Sequence, residues 1–444
     1  MIDTKALRSR VLDLAIQGKL TEQLPSDGTA EVLFNINDTS FEEDIPYEVP
    51  NNWKWVKLSN IGTTNIGLTY HPSDVDNNGT IVIRSSNIVN GKMDYSDIVK
   101  VNCSIKENQY VNKNDIVICA RNGSKALVGK NAIYNDESGK VAFGAFMAIF
   151  RTEYYAYVQL FFNTKSFRRY FSSDDSKQIN QVTQTILKNS IIPLPPLAEQ
   201  KRIVERVEEI FRLLDAIDEA QEKYSADAES LKAKLITAGI QGKLTKQLPS
   251  DGTAEELYQQ IQAEKQALIK EGKIKKEKPL PEIKPEEVPF EIPGSWKWCR
   301  LGEISNTIWA GRDKPNDFTE EADELRSVPV VANGVANDGI LGYTGTATAP
   351  ANTITVAGRG TIGFSVYRTY EYCPIVRLVV IEQAQQIEPR YLQYYLKLVP
   401  ATSVGSSIPQ LTVPMIRPKL VPLPPLAEQK RIADVLERVL GELW

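Results

Sequence analysis

Pro193-Leu-Pro-Pro-Leu-Ala-Glu-Gln-Lys-Arg-Ile203 stands at the head of a helical stretch, and the same residues return without change from Pro422 to Ile432. Two further segments repeat in the same order. Ile16-Gln-Gly-Lys-Leu-Thr-Glu-Gln-Leu-Pro-Ser-Asp-Gly-Thr-Ala-Glu31 returns from Ile240 to Glu255 with only Glu22/Lys246 changed. Ile45-Pro-Tyr-Glu-Val-Pro50 with Trp53-Lys-Trp55 is echoed by Val288-Pro-Phe-Glu-Ile-Pro293 with Trp296-Lys-Trp298. A period of about 230 residues is far too long for a solenoid and indicates two copies of a whole module. Between the shared segments, residues 56–192 and 299–421 keep only traces of each other: Ile118-Cys-Ala-Arg121 against Val356-Ala-Gly-Arg359, and Tyr157-Val-Gln159 against Tyr391-Leu-Gln393. One frame holding two different inserts suggests two different ligands of one kind.

The prolines at 193–196 read as a stop, after which a helix is expected from Leu197 to about Gly239. Its apolar positions are Ile203, Val207, Ile210, Leu214, Ile217, Tyr224, Ala228, Leu231, Leu235 and Ala238, alternating steps of four and three with a polar break at Gln221. That is a heptad seam. At 1.5 Å per residue, about 36 residues span about 54 Å, and a rod with an apolar seam needs a partner. The C-terminal Ile432, Leu436, Val439 and Leu443 repeat the first part of the rod, and Leu7, Val11 and Leu14 near the N-terminus repeat its last part. Because the C-terminal copy is shorter than the central one, the N-terminal helix is expected to complete a second, antiparallel rod. The divisions expected are an N-terminal helix (1–17), a first large domain (18–192), the central helix (193–240), a turn, short helix and charged linker (241–288), a second large domain (289–421) and a C-terminal helix (422–444).

Each insert reads as mixed α/β. Strands are expected at 80–84, 115–120, 142–151, 353–357, 363–367 and 375–381, with aromatic-rich helices at 154–171 and 389–398. Asn-Gly and Asp-Gly pairs supply turns. Gly358-Arg-Gly-Thr-Ile-Gly363 matches a dinucleotide fingerprint, but Phe364-Ser-Val-Tyr-Arg368 reads as a strand where a helix must follow, so a hairpin is expected.

The 444 residues carry a net charge of −4, yet residues 56–192 hold 16 Lys/Arg against 11 Asp/Glu, while residues 1–55 hold 5 against 10. Acidity thus sits outside the first insert, and a local basic face suffices for phosphate. The four cysteines are far apart, with no CxxC pair, and His71 is the lone histidine, so neither a metal site nor His-based catalysis is indicated. The N-terminus lacks the apolar core of a signal peptide and no apolar run approaches a membrane span; the expected location is the cytoplasm.

The PLPPLAEQKRI segment leading into a heptad helix, the paired Trp-Lys-Trp entries and Asp115-Ile-Val-Ile-Cys-Ala-Arg-Asn-Gly123 resemble the specificity subunits of type I restriction–modification systems, over essentially the whole chain. The resemblance implies an α+β protein with two α/β target recognition domains separated by a long antiparallel coiled-coil spacer, in pseudo-two-fold symmetry. It implies a non-catalytic subunit that reads a bipartite site on double-stranded DNA and directs two methyltransferase subunits and restriction subunits to it. S-adenosylmethionine would belong to the former and ATP with magnesium to the latter; none would be bound by this chain. Base-edge readout favours Arg, Lys, Asn and Gln on loops. The candidates by type are Arg84, Asn87, Arg121, Asn122, Lys125, Asn180, Gln181 and Gln184 in the first insert. In the second they are Arg312, Lys314, Asn333, Arg359, Ser406, Ser407 and Gln410. The spacer and partner-binding candidates are Ile203, Val207, Ile210, Leu214, Ile217, Leu231, Leu235, Leu436 and Val439. A two-module protein-binding scaffold and a self-contained DNA methyltransferase are the alternatives; the latter lacks an (N/D)PP(Y/F) segment and a usable cofactor loop.

Overall fold

The computed structural model describes residues 1–33, 45–136, 139–171, 181–398 and 410–441. The chain divides into two compact units, Met1–Lys223 and Tyr224–Trp444. The long helix Leu197–Ile240 gives its first part to one unit and its last part to the other.

The two units repeat one topology. In the first, a four-stranded antiparallel sheet runs in the order 63–66, 147–151, 116–119, 131–133. A three-stranded sheet places Val75–Ile83 between Val99–Val101, antiparallel, and Val141–Phe143, parallel. In the second unit the four-stranded order is 305–310, 379–383, 353–356, 365–368, and Val328–Val331 lies between Ile340–Thr344, antiparallel, and Cys373–Pro374, parallel. Inserts with almost no sequence in common therefore fold alike, because what they share is the order of apolar segments rather than their residues. Each main sheet packs on an aromatic helix, Tyr155–Phe162 or Pro389–Leu396, whose buried faces join the unit's core.

The repeated segments meet at one place in each unit. Glu199, in the first turn of the long helix, is fully buried. Its carboxylate accepts hydrogen bonds from Trp53 Nε1 (2.9 Å), Gln23 Nε2 (2.9 Å) and Thr21 Oγ1 (3.2 Å). Glu428 in the second unit is equally buried and accepts from Trp296 Nε1 (2.8 Å), Gln247 Nε2 (2.8 Å) and Thr245 Oγ1 (3.0 Å). A buried charge is tolerated only when its lone pairs are filled, and here a helix N-terminus adds favourable dipole. One turn on, Arg202 grips Asp27 and Arg431 grips Asp251 through paired guanidinium bonds. The Tyr157 and Tyr391 hydroxyls donate to the carbonyls of Pro193 and Pro422. The three near-identical segments thus meet in one polar knot in each unit, built by Thr21, Gln23, Asp27, Trp53, Glu199 and Arg202 and by their counterparts.

The prolines do not simply stop the chain. Ile191–Leu194 and Leu420–Leu423 are strands paired antiparallel with the Trp-Lys-Trp segments, Trp55 opposite Pro193 and Trp298 opposite Pro422. Proline is accepted there because the ribbons are two-stranded, leaving an edge where no donor is needed. The long helix ends one residue later than read: Gly239 is helical, and a Cβ there would lie 3.1 Å from Ile432 and 3.3 Å from Leu436. The terminating glycines are Gly18 and Gly242, with φ of 68° and 70°, followed by Lys19 N–H to Leu14 O and Lys243 N–H to Ala238 O. These close Schellman caps.

In the first unit the N-terminal helix Thr4–Ile16 runs antiparallel to the long helix: Thr4 bonds Asp218, and Arg8 bonds Asp215 and lies over the Phe211 ring. The polar break Gln221 is explained, since its amide bonds both the N–H and the carbonyl of Ile2. Leu12, Ala15 and Ile16 are its buried apolar face, whereas Leu7 is 43% exposed, because the helix also packs on Trp53 and the recognition core. In the second unit, Ile236 and Ile240 pack with Ile432, Ala433 and Leu436. Along the predicted seam Ile203, Val207 and Leu214 are buried, and Ile210, Ile217, Leu235 and Val439 partly so. Tyr224 and Leu231 are 62% and 44% exposed; Leu443 lies outside the described residues. The helix read as short begins early, at Ala254, and runs to Lys270 behind a Thr253/Glu256 capping box. No described helix is long and apolar enough to cross a membrane.

Candidate nucleic-acid interface

At one end of the main sheet in the first unit, three chain segments converge. The strand Ile116–Cys119 leads into Ala120 and Arg121, whose backbone N–H groups both donate to the Phe146 carbonyl (2.9 and 3.0 Å). Val182 N–H donates to the Ala120 carbonyl (2.9 Å), and Arg121 Nε and Nη2 both reach Gln181 Oε1 (3.1 and 2.6 Å). Beside them opens an apolar-walled cleft of about 1060 Å³, bordered by Leu68, Tyr70, Arg84, Asn122 and Phe146.

The second unit builds the same junction. Pairing of Ile118 with Ala148 and of Val356 with Val379 aligns the two sheets, which places Arg359 with Arg121, Gln410 with Gln181 and Arg377 with Phe146. Leu411 N–H donates to the Gly358 carbonyl (2.8 Å), as Val182 does to Ala120. Gly358, Arg359, Arg377 and Gln410 border a cleft of about 250 Å³. The hexapeptide Gly358–Gly363 is the turn of an antiparallel hairpin between 353–356 and 365–368, so it has no helix N-terminus to offer a pyrophosphate.

The structure sorts the residues chosen by type. Arg121, Gln181, Arg359 and Gln410 lie together at the two junctions, and Arg312 and Lys314 are exposed on the loop beside the second, with Lys314 over the Phe318 ring (3.4 Å to the centroid). Lys125 is exposed at the start of a short 3-10 turn. Arg84 borders the first cleft and is paired with Asp97 (2.8 Å). Asn122 holds the junction loop, bonding Ser85 and Ser124. Two of the chosen residues hold loops together. Asn87 is 2% exposed; its amide donates to the carbonyls of Asp94 and Asp97 and accepts from Arg84 N–H, so it braces a loop. Asn333 likewise ties Gly358 N–H (2.7 Å) to the Val376 carbonyl (2.8 Å). Gln184 donates to the Thr64 carbonyl. Asn180, Ser406 and Ser407 lie outside the described residues.

Sequence reading missed Phe146, Val376 and Arg377. The runs 142–151 and 375–381 read as unbroken strands, yet each is interrupted by a turn, Gly144–Met147 and Ile375–Leu378, that passes the chain from the small sheet to the main one. Only Gly144 hints at this, and in the second insert nothing does.

Burial pushes the thiols of Cys119 and Cys299 up, away from the thiolate form a nucleophile needs. Among the described residues no group of three His, Cys, Asp or Glu side chains could hold a metal ion. What the junctions offer is guanidinium and amide groups on braced loops, bonded to each other in the first unit and bordering one cleft in the second.

Comparison with known proteins agrees with this geometry. Residues 50–224 and 293–443 match the family model described as type I restriction modification DNA specificity domain. The chain is 29% identical over 406 residues to the type I restriction enzyme EcoAI specificity subunit of Escherichia coli, covering 75% of this chain and 68% of that one. It is 28% identical over 378 residues to the EcoEI specificity subunit of the same species, covering 69% and 63%. It thus spans about two thirds of these relatives' lengths. A chain solved in work on complex assembly and conformational transition of the type I R-M system shares the fold, with a TM-score of 0.61, 19% identity and coverage of 90% of this chain and 92% of that one. With two matched segments that together take in most of its length, the chain belongs to the family of type I restriction–modification DNA specificity subunits.

Proposed function

We propose that this chain is the non-catalytic, DNA-reading subunit of a cytoplasmic type I restriction–modification assembly, and that each unit reads one half of a bipartite site on double-stranded DNA. The observation that carries the reading is the junction built twice: one topology, with an arginine and a glutamine at equivalent places in each unit and different side chains around them. Two half-sites read by units joined through a helical spacer have a separation set by that spacer. The helices of the frame serve as spacer and as the dock for two methyltransferase subunits, with the exposed Leu213, Tyr224 and Leu231 as apolar contacts. Those subunits carry S-adenosylmethionine and methylate adenine after flipping it from the duplex. Restriction subunits using ATP and magnesium join the same assembly.

The test is co-expression with the methyltransferase subunit and mapping of N6-methyladenine across the host DNA. The expected result is a split motif with a fixed gap, in which exchanging residues 56–192 for another such insert changes one half only. Four residues inserted in the long helix add about 6 Å, enough to widen the gap by about one to two base pairs at roughly 3.4 Å each. A continuous motif, or an unchanged gap after insertion, refutes the two-reader arrangement.

A further inference from the structure

The turns Gly144–Met147 and Ile375–Leu378 occupy the same place in the two units and carry different chemistry. Both are closed by the same bond, Met147 N–H to Gly144 O (2.8 Å) and Leu378 N–H to Ile375 O (3.1 Å). Both are clamped. The Phe146 carbonyl holds the N–H groups of Ala120 and Arg121, while Val376 and Arg377 N–H groups donate to the carbonyls of Arg312 and Gly311. What the clamped turns present is unusual. Phe146 is 62% exposed, and Val376 is 48% exposed beside an exposed Arg377. The Arg377 guanidinium has no hydrogen bond or ion pair among the described residues. Val376 and Arg377 both have left-handed backbone, with φ of 53° and 61°, a conformation that a β-branched residue adopts only where its surroundings enforce it. Folding requires neither an exposed phenyl ring nor a strained Val-Arg turn. A small polar residue would serve at Phe146, and Asn-Gly would make the Val376-Arg377 turn at lower cost.

We propose that this turn is the specificity-determining tip of each recognition unit, with Phe146 packing on a thymine methyl in one half-site and Arg377 donating to guanine in the other. The proposal rests on the DNA-reading function above. Each tip stands beside an arginine and a glutamine: Arg121 bonded to Gln181 in the first unit, and Arg359 and Gln410 bordering the same cleft as Arg377 in the second, so cationic and hydrogen-bonding groups flank it, as a duplex groove demands. In the major groove guanine presents two acceptors that match a guanidinium fork, and thymine presents the one methyl group an apolar side chain can recognise. A rigid tip also holds its geometry without ordering cost on binding.

The experiment is the N6-methyladenine map in cells expressing the methyltransferase subunit with the unsubstituted chain, Phe146→Ala or Arg377→Ala. Because both side chains are exposed, the variants should keep the melting temperature of the parent, measured on the purified complexes. Arg377→Ala should relax one guanine position of one half-site about tenfold, with Arg377→Lys restoring part of the preference. Phe146→Ala should relax a thymine position in the other half-site and leave the first unchanged. Identical motifs in all variants overturn the proposal. So does a uniform loss of methylation with no change of motif, which marks phosphate contacts. A parent chain that yields no split motif overturns the recognition reading itself, and the tips with it.

Discussion

Replacing Glu199 by Gln removes one charge and changes almost no volume, yet it should unpick the first unit's frame. Oε1 accepts from Gln23 and Thr21, and Oε2 from Trp53 and, at 3.5 Å, Asn52. With its nitrogen in place of Oε2 the new amide would face the donors Trp53 and Asn52, and in place of Oε1 it would face the Gln23 N–H group, with only the Thr21 hydroxyl able to turn and accept. Gln23 cannot flip to receive it, because its own N–H groups also hold the carbonyls of Gly18 and Thr21. A hydrogen bond to a charged group contributes about 1.5–3 kcal/mol net, and a buried donor left unpaired costs about 1–3 kcal/mol more. A loss of about 2.5 kcal/mol is therefore the low estimate. For a unit of this size about 2–4 °C accompanies each kcal/mol, so its calorimetric transition should fall by about 5–10 °C or more. The double variant with Trp53→Phe, which removes the donor, should destabilise by clearly less than the sum of the single variants, with a coupling above about 0.5 kcal/mol. Glu428→Gln should do the same to the second unit through Trp296. A shift of less than about 2 °C for Glu199→Gln, or full additivity with Trp53→Phe, would refute the knot as an energetic centre.

Three further outcomes follow from the same geometry. The guanidinium groups of Arg202 and Arg431 hold the Asp27 and Asp251 carboxyls below the ordinary value of 3.8. Depressed carboxylates stabilise fully above that value, and the contribution drains away as pH falls below it through the folded values. Asp27→Asn should therefore flatten the acid limb of a stability profile, and curves that stay parallel to the parent's would count against the pairing. Gly18→Ala and Gly242→Ala should each destabilise by about 1–2 kcal/mol or more. The backbone is left-handed at both, and a Cβ would stand 2.4 Å from Pro50 or Pro293; equal melting temperatures would show the caps can rearrange. Val376→Asn should raise the melting temperature, since asparagine tolerates the left-handed region and the valine is half exposed; a lower melting temperature would mean that valine packing outweighs the strain.

The division of labour between frame and insert has a physical basis. Residues of the knot are mutually dependent, so changing one leaves another buried and unpaired. Residues at the junction tips answer to solvent and are free to change. One scaffold can then carry two readers without redesign of its core.

Local and periodic signals were legible in the residues alone. The duplication, the long helix and the hairpin at Gly358–Gly363 rest on neighbours in sequence or on literal repetition, so they could be read without coordinates. Arg121 and Arg359 could be paired for the same reason. Tertiary structure alone decided that Glu199 and Glu428 are buried acceptors, that Asn87 and Asn333 brace loops and that the strands at 142–151 and 375–381 break. Each of those outcomes depends on groups far along the chain. The partners of Glu199 lie about 150 residues away or more, and the turn at Val376 is held by the carbonyls of Gly311 and Arg312. An apolar run shows that a segment is buried, but where it must turn to pass between two sheets is set by the sheets themselves.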